Sequence, residues 1–244
     1  MASTAAAQIS IPFGGPTKPR PSPNATQVGA PVDVAAAVAA PGRSAAMRTL
    51  DDGCHPVEVL GFVGLVRGFR VLVVERDPGY FGTIVGAALS PDGKVTELVD
   101  AAVMASPATR AALSDAVGLA PNLALLVAST AVRLTPNSFD LVLLYRAGNR
   151  AAAVAGGQSA AIAADKLYAA VRPGGIVGVV EHLPPADGRS ATDGAVTIER
   201  RFTAAGFVLD RSGRVRGADD TTEPALADHG NGASMVIFRF RKPE

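Results

Sequence analysis

The chain contains one cysteine, Cys54, and no tryptophan among its 244 residues. A single thiol excludes an internal disulfide and a cysteine zinc cluster, and it fits a reducing, cytoplasmic compartment. Histidine is almost as scarce: His55, His182 and His229 stand far apart rather than at metal-ligand spacing, so no bound metal is expected. An excess of charge of either sign is missing too. Lys and Arg number 23 against 22 Asp and Glu, and the net charge of +1 gives no electrostatic footprint for nucleic acid or an anionic membrane. Although 48% of the residues are hydrophobic, no uninterrupted apolar run approaches the roughly 20 residues of a membrane helix. These exclusions leave the expectation of a soluble protein with neither nucleic acid nor a membrane as partner.

What is present divides near residue 43. Residues 1–43 are largely Ala, Pro, Ser and Gly, as in Lys18-Pro19-Arg20-Pro21-Ser22-Pro23, with too few large apolar side chains to offset the entropy of ordering. They are expected to form a disordered N-terminal arm, although the alanine-rich patch over residues 32–40 admits a short helix against the domain. Lys18 and Arg20 follow the weakly apolar opening instead of preceding it, the reverse of a secretory leader. Residues 44–244, about 200 in number, suit one α/β domain.

Within that span the hydrophobic pattern alternates. Residues 45–50 and 56–66 read as helices, the second opening on Pro56 with Val59, Leu60, Phe62 and Val63 along its apolar side. The run Arg70-Val71-Leu72-Val73-Val74-Glu75 is β-branched and bounded by turn residues, as in a strand buried on both faces of a parallel sheet. Residues 79–89 read as a helix closed by Ser90-Pro91-Asp92-Gly93, and residues 94–99 as the next strand. A helix at 107–117 and strands at 122–127 and 139–145 follow. The next helix, 159–171, stops at Arg172-Pro173-Gly174-Gly175, with a strand at 176–181 behind it. After a helix at 198–205, strands at 207–215 and 234–241 succeed each other directly and can pair antiparallel. The predicted architecture is a Rossmann-like α/β fold: a seven-stranded, mostly parallel sheet with an antiparallel last strand and helices on both faces.

Several segments, in order, carry a resemblance. They are Arg48 and Asp51, Pro56-Val57-Glu58-Val59-Leu60-Gly61-Phe62, Gly79-Tyr80-Phe81, Pro91-Asp92-Gly93-Lys94-Val95, and Phe139-Asp140-Leu141-Val142. Arg172-Pro173-Gly174-Gly175, Ala218-Asp219-Asp220 and Phe238-Arg239-Phe240-Arg241-Lys242-Pro243 complete the set. Together they resemble a bacterial family of predicted methyltransferases in the class I S-adenosylmethionine-dependent superfamily. The resemblance implies S-adenosyl-L-methionine as cofactor. It implies a glycine-rich turn after strand one for the methionine moiety and an acid at the end of strand two for the ribose hydroxyls.

The cofactor positions depart from that pattern. Where the family has its acid and three glycines, this chain has Val73, Glu75, Asp77 and Gly79, so the motif is degenerate. Glu75 and Asp77 offer carboxylates to the cofactor's ammonium, yet they put side chains where backbone should approach closely. Tyr80 follows at the start of the helix. The strand-two acid position holds Val99, with Asp100 one residue later, and the adenine-reading acid after strand three is replaced by Ser129. His182, beyond strand five, is a candidate general base. Tyr145, at the end of strand four, lies beside the same crevice or packs in the core. His55 and Glu58 line an acceptor pocket or lie on the surface, and Cys54 stands where the family has an arginine.

Two functions follow. One is S-adenosylmethionine-dependent methylation of a small molecule; the other is a catalytically inactive relative acting as a binding or regulatory subunit. A nucleotide-dependent oxidoreductase is disfavoured, because the dinucleotide glycine pattern is absent. A homodimer is compatible with either function.

Overall fold

A computed structural model describes residues 29–128, 132–146, 163–183, 190–214 and 234–244. Its strands are β1 (Arg70–Glu75), β2 (Lys94–Asp100), β3 (Leu123–Ala128), β4 (Phe139–Tyr145), β5 (Val171–Leu183), β6 (Val208–Arg214) and β7 (Ser234–Arg241). They form one seven-stranded sheet in the order β3-β2-β1-β4-β5-β7-β6. Strands β1 to β5 run parallel, and β7 lies between β5 and β6, antiparallel to both. The chain moves outward from β1 to β3 and then restarts at β4 on the other side. The strand order therefore reverses between β1 and β4, where the crevice of an open α/β sheet lies.

Period-two alternation divides the core into two layers. Val71, Val73, Leu141 and Leu143 face one side with Val59, Leu60, Phe81 and Ile84. Leu72, Val142, Leu144, Val177 and Val179 face the other with Leu167 and Phe202. The helices above the first layer are α1 (Val34–Val38), α2 (Ala45–Arg48), α3 (Asp51–Cys54), α4 (Pro56–Val63) and α5 (Tyr80–Leu89), with α6 (Pro107–Leu119) beside α5. α7 (Ala164–Ala170) and α8 (Ser190–Ala204) cover the second. Local chemistry sets their ends. Ser44 and Ser106 cap α2 and α6 by accepting from Met47 N and Thr109 N, and left-handed Gly64 closes α4. Among the described residues no helix is long and apolar enough to cross a membrane.

The structure differs from the sequence reading in several places, among them the helix read over 198–205, which is α8 over Ser190–Ala204. The alanine-rich patch, read with the arm, contains α1, whose Val34 and Ala37 are buried against α4 and α5. Pro31 also bridges Val66. The helices read over 45–50 and 56–66 are shorter, with α3 between them, because His55 takes a left-handed φ of 43° and Gly64 ends α4 early. Finally, Arg172-Pro173-Gly174-Gly175 does not precede a strand starting at residue 176. Val171 already pairs with Phe139 while Ile176 pairs with Leu141, so the motif bulges opposite Asp140. Asp140 holds the bulge by accepting from Arg172 Nε and from the amide of Arg70.

Candidate functional site

β1 ends at Glu75, and the chain turns through Arg76, Asp77 and Pro78 to Gly79, which caps α5 with a left-handed φ of 91°. A Cβ at Gly79 would also come 3.1 Å from Ala116 Cβ, so both conformation and space require glycine. The amides of this turn are held by side chains. Gly79 N donates to Glu97 Oε1 at 2.6 Å, Phe81 N to Glu75 Oε2 at 2.9 Å and Gly82 N to Glu75 Oε1 at 3.1 Å. Glu97 lies in the middle of β2 and is 0% exposed. It fits beneath α5 because Gly82 has no side chain: a Cβ there would overlap Glu97 Oε2.

Two acids thus meet between the sheet and the first turn of α5. Burial pushes the Glu97 carboxyl up to about 7. Burial, and then the nearby charge of Glu97, raise Glu75 well above the ordinary carboxyl range against the opposing pull of the Phe81 and Gly82 amides. Glu97 Oε2 is buried and among the described residues no N–H or O–H donor reaches it, yet the Glu75 carboxyl lies within hydrogen-bonding reach. A pair of ionised carboxylates there would be unsatisfied and repulsive. A single proton held between them resolves both problems.

The residues singled out in the sequence divide around this turn. Glu75, Asp77, Gly79 and Tyr145 come together: Tyr145 ends β4 opposite Glu75, and half-buried Asp77 is close enough to raise both the Cys54 thiol and the Tyr145 phenol. Tyr145 is buried, its ring 4.6 Å from that of Phe81 and its hydroxyl 3.9 Å from Met235 Sδ and beside Cys54. Burial, then the Cys54 contact, push its pKa upward, which unsuits it for proton abstraction near neutral pH. Tyr80 points away from the turn, donating to Asp51 Oδ1 at 2.7 Å beneath the guanidinium of Arg43. Asp100 ends β2 beside buried Val99 and accepts from Ala102 N at 2.8 Å, capping the next turn. Glu58 is exposed on the first turn of α4. His182 has its backbone in β5 opposite Met235, while its side chain, like Ser129, Asp219 and Asp220, lies outside the described residues.

Sequence reasoning missed Glu97 and the Arg43–Asp51–Tyr80 group. The signal for Glu97 was legible in principle: a lone acid in an otherwise apolar central strand needs partners, and Gly82 in the facing helix makes room for it.

No protein-family model and no curated protein sequence match the chain. Solved structures do match its fold. A SAM dependent methyltransferase from Aquifex aeolicus is 15% identical with a TM-score of 0.54, over 80% of this chain and 96% of that one. The [4+2]-cyclase SpnF is 18% identical with a TM-score of 0.51, over 84% of this chain and 85% of that one. At such identities the likeness shows the fold: a Rossmann-like sheet of the class I methyltransferase type. That fold also carries a cyclase, so function has to be argued from the site.

Proposed function

We propose that the chain is an S-adenosylmethionine-dependent methyltransferase acting on a small-molecule acceptor. The observation that supports this reading is the charge of the first turn. In open α/β folds the amides at such a helix start commonly receive a pyrophosphate or another anion. Here the amides of Gly79, Phe81 and Gly82 are already held by Glu97 and Glu75, and Asp77 adds a third acid. A pyrophosphate would meet carboxylates; a cationic nucleoside meets attraction. S-adenosylmethionine fits that polarity, and when bound it supplies an electrophilic methyl group on a positively charged sulfur.

The residues then take distinct roles. Gly79 keeps the turn free of a side chain, and Asp77 and Glu75 face the cofactor's cationic end. Asp100, at the carboxyl end of β2, reads the ribose hydroxyls, and Ser129 the adenine. The Tyr145–Phe81 pair forms a rigid floor, so Tyr145 positions and excludes water rather than moving a proton. His182, at the end of β5, takes the acceptor's proton. Much of the acceleration of an in-line displacement comes from such alignment.

A second reading, a binding or regulatory subunit without turnover, draws support from one observation: the turn has two α5 amides closed by its own Glu75. Calorimetry on the chain purified alone separates the two. We expect S-adenosylmethionine to bind several-fold tighter than S-adenosylhomocysteine, which lacks the sulfonium charge. Absence of heat with either ligand at millimolar concentration would sink the methyltransferase reading. Robust methyl transfer by the isolated chain would end the second.

A further inference from the structure

We propose that the Glu75–Glu97 pair is a proton-exchange site, in which a cation arriving at the β1–α5 turn is bound with release of the proton the two buried carboxyls share. This inference rests on the cationic-ligand reading of the same turn and adds its regulation: affinity set by pH. The geometry carries it. Among the described residues Glu97 Oε2 is buried without an N–H or O–H donor, and it is adjacent to Glu75, whose oxygens already accept from Phe81 N and Gly82 N. A proton between the carboxyls satisfies that oxygen.

The surroundings fix the sign. On the turn itself stands Asp77, whose negative charge favours keeping the proton. From the ends of α3 and β4 come Cys54, Tyr145 and Arg146; thiol and phenol are held neutral by burial, and the Arg146 charge is felt at both. On α5, Thr83 contributes a hydroxyl that donates to Gly79 O. β3 closes the space at Gly82 with Leu123, and α6 closes it at Gly79 with Leu113 and Ala116, all apolar. The ion pair of Arg43 with Asp51, at the start of α5, is closed on itself and on Tyr80. A shared proton is thus the pair's main internal countercharge. An incoming cation replaces it, and the proton leaves to solvent. Bound cation plus two carboxylates then carry the charge that proton plus two carboxylates carried before.

The experiment is calorimetric titration of the full chain with S-adenosylmethionine between pH 6 and 8, in buffers of different ionisation enthalpy. We expect release of up to about one proton per ligand, and affinity that rises with pH by at most roughly tenfold per unit. In Glu97→Gln, whose amide keeps one oxygen for Gly79 N and gives an N–H towards Glu75, the proton release and the pH slope should disappear. Infrared spectroscopy supplies a readout independent of affinity: a protonated-carboxyl C=O band in the ligand-free protein, lost on adding ligand and absent from Glu97→Gln. Binding with buffer-independent heats and no such band overturns the proposal while leaving the cationic-ligand reading intact. Failure of S-adenosylmethionine to bind at all overturns both.

Discussion

Asp51→Ala is expected to destabilise the fold by about 3 kcal/mol, the low end of the cost of breaking a buried pair by removing one partner, because the Asp51 side chain is 24% exposed. The side chain of Arg43 is 1% exposed, and its guanidinium donates to Asp51 Oδ1 at 2.5 Å and to Oδ2 at 2.9 Å. It also donates to Val38 O at 2.6 Å and lies 5.4 Å from the centre of the Tyr80 ring. Asp51 Oδ1 in turn accepts from the Tyr80 hydroxyl at 2.7 Å. One carboxylate therefore ties the segment before α2 to the start of α5. Without it a buried cation keeps only the carbonyls of Val38 and Met47, and a buried phenol loses its acceptor. For a domain of this size the melting temperature should fall by roughly 10 °C. Arg43→Met combined with Asp51→Leu should recover most of that loss, because a neutral pair leaves no uncompensated charge. Denaturant titration decides the matter, and a cost below about 1 kcal/mol for Asp51→Ala would show that the charge finds water instead.

The second large effect is a pH dependence opposite to the usual one for an acid. Glu97 ionises near 7 in the folded chain against an ordinary value of 4.5, because burial penalises its charge. The folded state therefore holds a proton that the unfolded state has already released. The contribution is fully present below about pH 4.5 and is lost as pH rises through about 7. Its size is on the order of 3 kcal/mol. Glu75, raised by burial and by Glu97, acts in the same direction. Asp51 acts in the other. Burial opposes its ionisation, but the Arg43 and Tyr80 bonds outweigh burial and hold it below its ordinary 3.8, so its contribution is lost only in acid. Thermal melts should show wild-type stability falling between pH 5 and 8. Glu97→Gln should flatten that slope and melt above wild type at pH 8; parallel pH profiles for the two proteins would contradict the account.

The fold was legible because its central strands are largely apolar and turn residues bound them. Arg70–Glu75, Phe139–Tyr145 and Ser234–Arg241 occupy the ranges read from period and turn residues alone. The place of β7 between β5 and β6 was not legible, since only long-range pairing decides it. The Arg172–Gly175 bulge was misread for the same reason: local chemistry signals a break, and pairing with β4 on both sides carries the strand across it. The place of Glu75, Asp77 and Gly79 on the turn after β1 was legible from the end of the strand read there. Their directions were not, because a glutamate side chain can turn toward a ligand or back onto the amides of its own helix. Tyr80 illustrates the limit most clearly. Its place beside the glycine suggested the cofactor, whereas the helix rotation directs it to Asp51.

On the proposed function, the turn after β1 receives a cation where other open α/β sheets receive an anion. A crystal structure of the chain grown with S-adenosylmethionine tests it most directly. The account predicts the ligand's positively charged groups on the side of Asp77 and Glu75, with the Glu75 bonds to the α5 amides retained. A ligand carboxylate seated on the Phe81 and Gly82 amides with Glu75 swung out, or density for the ligand only elsewhere on the molecule, would contradict it.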